Sequence, residues 1–312
     1  MIEIREATSK EMKKCIKTVQ KMIFGMGFTE AMKKVNWPMI RFISNFGYTF
    51  MPRDKGVKFK QTIINGVSGE ITIPKEQKSN DILLYFHGGG FLSGSAYASR
   101  GYCSMLANYS GCKVVAIDYS LAPENPFPCA VNDCYQTYKF LSTRNPDINI
   151  SLIGESAGAN LSIVTALKVS KDKNLKPVCS VVAHSPVIDF AGELQRDPNR
   201  VADFTIKSND MEMMRVYYKN ADVHHPELSP YYDDLSMLPP TFITCDYNEA
   251  LYIDAETLYA ECKKHGIKTR LIEMRNTFHA FAPIGTGAPE TLQILKENCE
   301  FIKECAHIAN KN

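Results

Sequence analysis

The sequence predicts an α/β fold, a mostly parallel eight-stranded sheet flanked by helices and topped by a helical cap. Three observations carry this expectation. Short apolar runs alternate with helical segments after residue 52, the pattern that builds parallel sheets. The inner runs Ile82-Leu83-Leu84-Tyr85-Phe86 and Val178-Cys179-Ser180-Val181-Val182-Ala183 are nearly continuous in apolar residues, as expected where helices cover both sheet faces. Residues 148–158 read as strand, sharp turn and helix, with a serine at the apex of the turn.

In chain order, a helical pattern runs from Ser9, with Ile16, Val19, Met22, Ile23 and Met26 on one face. A second runs from Thr29 through Phe46. These two helices, residues 1–50, form an N-terminal cap segment ahead of the first strand. The second ends in an aromatic cluster of Trp37, Phe42, Phe46, Tyr48 and Phe50, which either packs on the main domain or roofs a ligand pocket. The remaining residues, 51–312, form the main domain. Its strands are expected at Val57 to Ile64, Glu70 to Pro74, Ile82 to Phe86, Lys113 to Ile117, Ile148 to Ile153, Val178 to His184, Thr241 to Cys245 and Lys268 to Met274, the first ones antiparallel. Residues 190–225 interrupt the alternation with Asp203-Phe204-Thr205-Ile206 and a helical pattern from Asp210 to Tyr218, and read as a cap insertion.

A chain of 312 residues can bury a large core. With 45% hydrophobic residues, 22% charged residues and a net charge of +2, neither disorder nor a strong field for nucleic acid or membrane is indicated. Ten cysteines are scattered without a Cys-x-x-Cys pair, so they read as free buried thiols, and no metal site is expected. Adjacent His224 and His225 read as a solvated loop. The opening Met1-Ile2-Glu3-Ile4-Arg5-Glu6 carries charge where a signal peptide needs an apolar core, and no apolar run reaches about 18 residues. A cytoplasmic location without stable membrane insertion is the expectation.

Two glycine-rich segments carry the chemistry. Gly154-Glu155-Ser156-Ala157-Gly158 has the form of a nucleophile elbow. Its serine is held in strained geometry, and glycines stand where side chains would strike backbone. Upstream, the strand ending at Phe86 leads directly into His87-Gly88-Gly89-Gly90-Phe91, whose glycines free backbone N–H groups to face a substrate oxyanion. The two motifs lie 66 residues apart, from Gly88 to Gly154, and together are far more specific than either alone.

At these residues the chain resembles the hormone-sensitive-lipase family of α/β-hydrolases, bacterial carboxylesterases with a His-Gly-Gly-Gly loop ahead of a Gly-x-Ser-Ala-Gly elbow. Asp118-Tyr119-Ser120-Leu121-Ala122-Pro123-Glu124, Pro126-Phe127-Pro128, Ser185-Pro186 and Leu235-Ser236-Met237-Leu238-Pro239-Pro240 are similar to further landmarks of that family. The resemblance covers roughly residues 80 to 285, and the N-terminal helices resemble the family's cap in position and character. It implies the α/β-hydrolase fold, Ser156 as nucleophile, and Gly88, Gly89 and Ala157 as oxyanion donors. The Ala157 N–H also stands at a helix start, where the dipole favours negative charge.

In this fold the base comes last in chain order, which selects His279 in Asn276-Thr277-Phe278-His279-Ala280-Phe281. The acid departs from the family's common Asp-Pro-Leu pattern. The segment 245–254 offers Asp246, Glu249 and Asp254. Alignment from Pro240 places the family's aspartate on Glu249, 30 residues before His279. Glu249 is favoured, Asp246 is the alternative, and Asp254 resembles a helix N-cap. Asp133 reads as a buried anchor, and Glu155 as a structural hydrogen-bonding group pointing away from Ser156.

The resemblance therefore implies a serine carboxylesterase for short-to-medium acyl esters, with a small-molecule substrate, no cofactor and no nucleic-acid partner. A homodimer is left open. Two readings compete: a hydrolase-fold binding protein without turnover, and an amidase, peptidase or deacetylase using the same triad.

Overall fold

A computed structural model describes residues 2–25, 36–48, 51–197, 214–284 and 287–309. Its centre is one sheet in the order β1-β9-β8-β7-β6-β4-β5-β3-β2. The strands are β1 (Glu3–Glu6), β2 (Lys58–Ile64), β3 (Val67–Ile73), β4 (Ile82–Phe86), β5 (Lys113–Ile117), β6 (Ile150–Glu155), β7 (Val181–His184), β8 (Thr241–Asp246) and β9 (Thr269–Arg275). β2 and β3 pair antiparallel, β3 pairs antiparallel with β5, and the remaining pairs are parallel.

The helices are α1 (Lys10–Gly25), α2 (Trp37–Tyr48), α3 (Arg100–Ser110), α4 (Cys129–Arg144), α5 (Ala157–Lys171), α6 (Arg215–Tyr218), α7 (Tyr252–Lys264), α8 (Phe281–Ile284) and α9 (Pro289–Ala309). They cover both faces, and the strands alternate accordingly. Leu84 and Phe86 join the core under α4, α5 and α7. Leu83 and Tyr85 join the core under α1, α3 and α9. Period-two alternation with both sides apolar explains why the inner strands read as unbroken hydrophobic runs.

The sheet has nine strands where eight are expected, because the chain opens with a strand and not with two helices. β1 is four residues long and contains one apolar residue, so it carries no periodic signal. It runs parallel to β9, pairing Glu3 with Ile272 and Glu6 with Arg275. Charge supports the pairing: Arg270 bridges Glu3 at 2.8 Å and Glu297 at 2.9 Å, while Arg5 meets Glu297 at 2.9 Å. α1 then starts with Ser9 as its cap, the hydroxyl accepting the Met12 N–H at 3.0 Å.

α2 begins behind Asn36, whose side-chain oxygen accepts the Met39 N–H at 3.1 Å, with Pro38 in the first turn. Arg41 fastens this helix to the domain, donating to the carbonyls of Leu92 and Ala122 at 2.8 Å each. Within the aromatic cluster, Trp37 packs on the core, whereas Phe42 and Phe46 stack on each other and remain exposed. Phe50 and the start of the expected second helix, from Thr29, lie outside the described residues, as do Asp203-Phe204-Thr205-Ile206 and Asp210 of the insertion. Its described end, α6, buries Tyr217 flat against Phe91, with ring centroids 3.9 Å apart. All ten cysteines are free, and all but Cys15 and Cys129 are buried. Among the described residues no helix is long and apolar enough to cross a membrane.

Candidate active site

Four consecutive loops at the carboxyl end of the sheet, those after β6, β7, β8 and β9, meet through hydrogen bonds. The first is the elbow. Ser156 lies between β6 and α5 with φ 54° and ψ −118°, a conformation that costs a non-glycine residue about 1–3 kcal/mol. Its N–H donates to His184 O at 2.8 Å, and its carbonyl accepts from Asn160 at 3.1 Å. The flanking glycines are required sterically. A Cβ on Gly154 would stand 2.3 Å from Gly158 O, and one on Gly158 would stand 1.9 Å from Phe86 O.

The loop after β7 begins with Ser185, also in the left-handed region at φ 48°. Its hydroxyl donates to Glu249 Oε2 at 2.8 Å and accepts the Ala280 N–H at 3.0 Å. One buried serine thus joins the loops after β7, β8 and β9. Sequence reasoning marked Ser185-Pro186 only as a landmark; a serine closing a buried strand ahead of a proline is the one signal it offers.

The two favoured polar partners come together. His279 is 5% exposed and Glu249 fully buried, with Nδ1 and Oε1 3.6 Å apart. Glu249 Oε2 also accepts the Asp246 N–H at 3.2 Å. The Asp246 carboxylate accepts the Thr277 N–H at 2.8 Å and the Thr277 hydroxyl, and the Asn248 N–H at 2.7 Å. It shapes the segment leading to His279. Asp254 is within the first turn of α7 and not ahead of it. Its carboxylate accepts the Ile188 N–H at 2.9 Å and pairs with Arg196 at 2.7 Å. Asp133 anchors the Ser120 N–H at 2.8 Å, but from a half-buried position and not the buried one expected.

The glycine loop corrects one expectation. The Gly88 N–H donates to Glu155 Oε1 at 2.7 Å and so does not face an oxyanion. A neighbouring carboxylate has taken it, which the sequence alone does not reveal. Gly89 and Gly90 follow at φ 112° and 63°, and among the described residues their N–H groups have no acceptor. Ala157 opens α5, in the first turn, where N–H groups lack intrahelical acceptors. Gly89 and Ala157 thus keep the backbone character an oxyanion site needs, and Gly90 joins them. His87 supports the loop from inside. Its ring stacks on Tyr119 with centroids 4.2 Å apart, and its Nδ1 donates to Gly88 O at 2.8 Å, which assigns the proton to Nδ1.

Burial sets the electrostatics beneath the site. It raises the Glu155 carboxyl to about 7, against hydrogen bonds from Tyr85 and Gly88 and the charge of His279. It lowers His184 to about 3, leaving a neutral ring between Thr244 Oγ1 at 2.7 Å and Tyr102 OH at 2.9 Å. A cavity of about 30 Å³ lies behind the glycine loop, bounded by Tyr85, Gly88, Tyr102 and Glu155 and touching neither Ser156 nor His279.

A strained serine at a helix start, backbone donors beside it and a histidine backed by a buried carboxylate are the parts of acyl transfer. Known proteins share the fold that carries these parts. A family model described as alpha/beta hydrolase fold matches residues 83–283. An acetyl-hydrolase of Streptomyces hygroscopicus is 34% identical over 64% of this chain and 67% of its own. An esterase of Acinetobacter venetianus is 28% identical over 80% of this chain and 83% of its own. A solved esterase of the bacterial hormone-sensitive lipase family superposes with a TM-score of 0.86 at 26% identity, covering 96% of this chain and 99% of that one. A hormone-sensitive lipase from a metagenome library does so with a TM-score of 0.79 at 32% identity, covering 85% and 91%. The chain belongs to the α/β-hydrolase fold family, in its hormone-sensitive-lipase group of carboxylesterases.

Proposed function

We propose that this protein hydrolyses short-to-medium acyl esters by a serine mechanism in which Ser156, His279 and Glu249 form the triad. The observation that carries the acid assignment is the buried Glu249 Oε1 facing His279 Nδ1 at 3.6 Å. Ser156 Oγ attacks the ester carbonyl as His279 Nε2 takes its proton. The carbonyl π electrons move to oxygen, where the N–H groups of Gly89, Gly90 and Ala157 receive the charge. Collapse expels the alcohol, which leaves with the proton from His279. Water then repeats the sequence on the acyl-enzyme and releases the acid. Glu249 holds the Nδ1–H tautomer and stabilises the imidazolium.

The preference for short-to-medium chains draws on the acetyl-hydrolase and esterase relatives. It is tested by p-nitrophenyl esters from acetate to decanoate on the wild-type protein and on Ser156→Ala. The expected result is highest kcat/KM at or below the middle of the series and loss of hydrolysis in the variant. A preference for decanoate contradicts the chain-length reading, and an active Ser156→Ala contradicts the mechanism.

A further inference from the structure

Glu155 adjoins the nucleophile, yet no step above uses it. Its surroundings give it a specific task. β4 and β6 are neighbouring parallel strands, with Phe86 opposite Gly154, so the glycine loop and the elbow leave the sheet side by side. The loop then turns away through two residues with positive φ, Gly89 and Gly90, and such backbone holds a direction only if something restrains it. Glu155 lies directly beneath it. A Cβ on Gly88 would meet Glu155 Cγ and the Glu155 carbonyl at 3.0 Å each. The Gly88 N–H donates to Glu155 Oε1 at 2.7 Å, a hydrogen bond that joins these two loops. The other oxygen, Oε2, accepts from Tyr85 OH on β4, which fixes the carboxyl's rotation.

We propose that Glu155 is a positioning residue that binds the glycine loop to the elbow, so that the N–H groups of Gly89 and Gly90 are aimed at the point Ala157 also addresses. A buried carboxyl satisfied by any nearby donors is the plain alternative. Here the bond joins the two segments that supply the oxyanion donors, and its loss therefore acts on the transition state and not on substrate docking. Donors to an oxyanion are worth about 10²–10³ in rate each when removed, so a loop free to turn aside costs about 10².

The proposal rests on the serine-esterase reading, and the test separates the two. kcat and KM for p-nitrophenyl butyrate and inhibition by an alkyl trifluoromethyl ketone are measured on three variants. The ketone carbon bonds to Ser156 Oγ, the serine proton passes to His279, and the ketone oxygen becomes an oxyanion that reports on the donors. Glu155→Met has no acceptor and should lose about 10²-fold in kcat, with KM within about threefold and ketone affinity falling in parallel. Glu155→Asp keeps the carboxyl but withdraws it by about 1.5 Å, and should lose nearly as much. Glu155→Gln presents an amide oxygen to the Gly88 N–H and should recover to within about tenfold of wild type.

Met or Asp variants with wild-type kcat and ketone affinity would overturn the proposal. So would a loss as large in Gln as in Asp, or a loss confined to KM. Should the Met variant not fold, the contrast between Asp and Gln still decides. Wild-type protein that hydrolyses no ester refutes the parent reading, whereas an active wild type with insensitive variants refutes this one alone.

Discussion

Replacing Glu249 with glutamine tests the acid because it changes one atom type and almost no volume. Glu249 Oε2 accepts from Ser185 Oγ at 2.8 Å and from the Asp246 N–H at 3.2 Å. The glutamine oxygen takes that place, since both partners donate, which turns the NH₂ group toward His279 Nδ1 where Oε1 stood at 3.6 Å. An amide nitrogen only donates, so Nδ1 must offer its lone pair and the ring proton moves to Nε2. That tautomer cannot take the proton of Ser156. The comparable exchange of carboxylate for amide in a serine protease triad costs about 10⁴ in kcat, and about 10³–10⁴ is expected here, on the order of 4–5 kcal/mol of transition-state stabilisation. KM should change by no more than a few fold.

Asp246→Asn perturbs a different task. It weakens the bonds to Thr277 at the entry of the His279 loop and should cost about tenfold in kcat together with some thermal stability. Steady-state hydrolysis of p-nitrophenyl butyrate, with melting temperatures for both variants, makes the comparison. Glu249→Gln retaining more than a tenth of wild-type kcat, or Asp246→Asn losing more than Glu249→Gln, refutes the reasoning.

Two further outcomes follow from buried groups. Ser185→Ala removes the hydroxyl that serves Glu249 Oε2 and the Ala280 N–H, costing the buried carboxylate one of its hydrogen bonds and the buried N–H its acceptor, at about 1–3 kcal/mol each. Urea unfolding should show a loss of about 2–5 kcal/mol with kcat reduced at least tenfold, and an unchanged midpoint would count against the bridge. The Glu155 carboxyl titrates at about 7 in the fold against 4.5 when exposed, so between those values the native state holds the extra proton. Stability from this group is therefore fully present below pH 4.5 and falls as pH rises through 7, by about 3 kcal/mol at about 1.4 kcal/mol per unit. Denaturation of Glu155→Gln across pH 5 to 8 should lack that decline, and parallel curves for the two proteins would rule it out.

What the sequence made legible was local or strongly patterned. The elbow and the glycine loop are contiguous motifs, and each is dictated by contacts within a few ångströms of its own backbone, such as Gly158 beneath Phe86 O. Strands buried on both faces announce themselves by unbroken apolar runs. Glu249 is favoured over Asp246 in the sequence by its interval to His279, and the fold adds contacts no interval reveals: Asp246 accepts from Thr277 and Asn248, while Glu249 Oε1 lies 3.6 Å from His279 Nδ1. What stayed hidden depended on distant partners. β1 has one apolar residue and pairs with β9 across nearly the whole chain, supported by ion pairs that leave no periodic trace. The Gly88 N–H was misassigned because its fate depends on the rotamer of Glu155, 67 residues away. Ser185 was visible as a residue but not as a bridge, since its partners come from two later loops.

The claim at the centre of this account is that Ser156 is the nucleophile, and stoichiometric labelling tests it most directly. A dialkyl fluorophosphate incubated with the wild-type protein should add one phosphoryl group per chain, on the peptide containing Ser156, with ester hydrolysis lost in proportion to labelling. Ser156→Ala should take up no label and hydrolyse no ester. Label on another residue, or hydrolysis surviving in a fully labelled protein, would contradict the account.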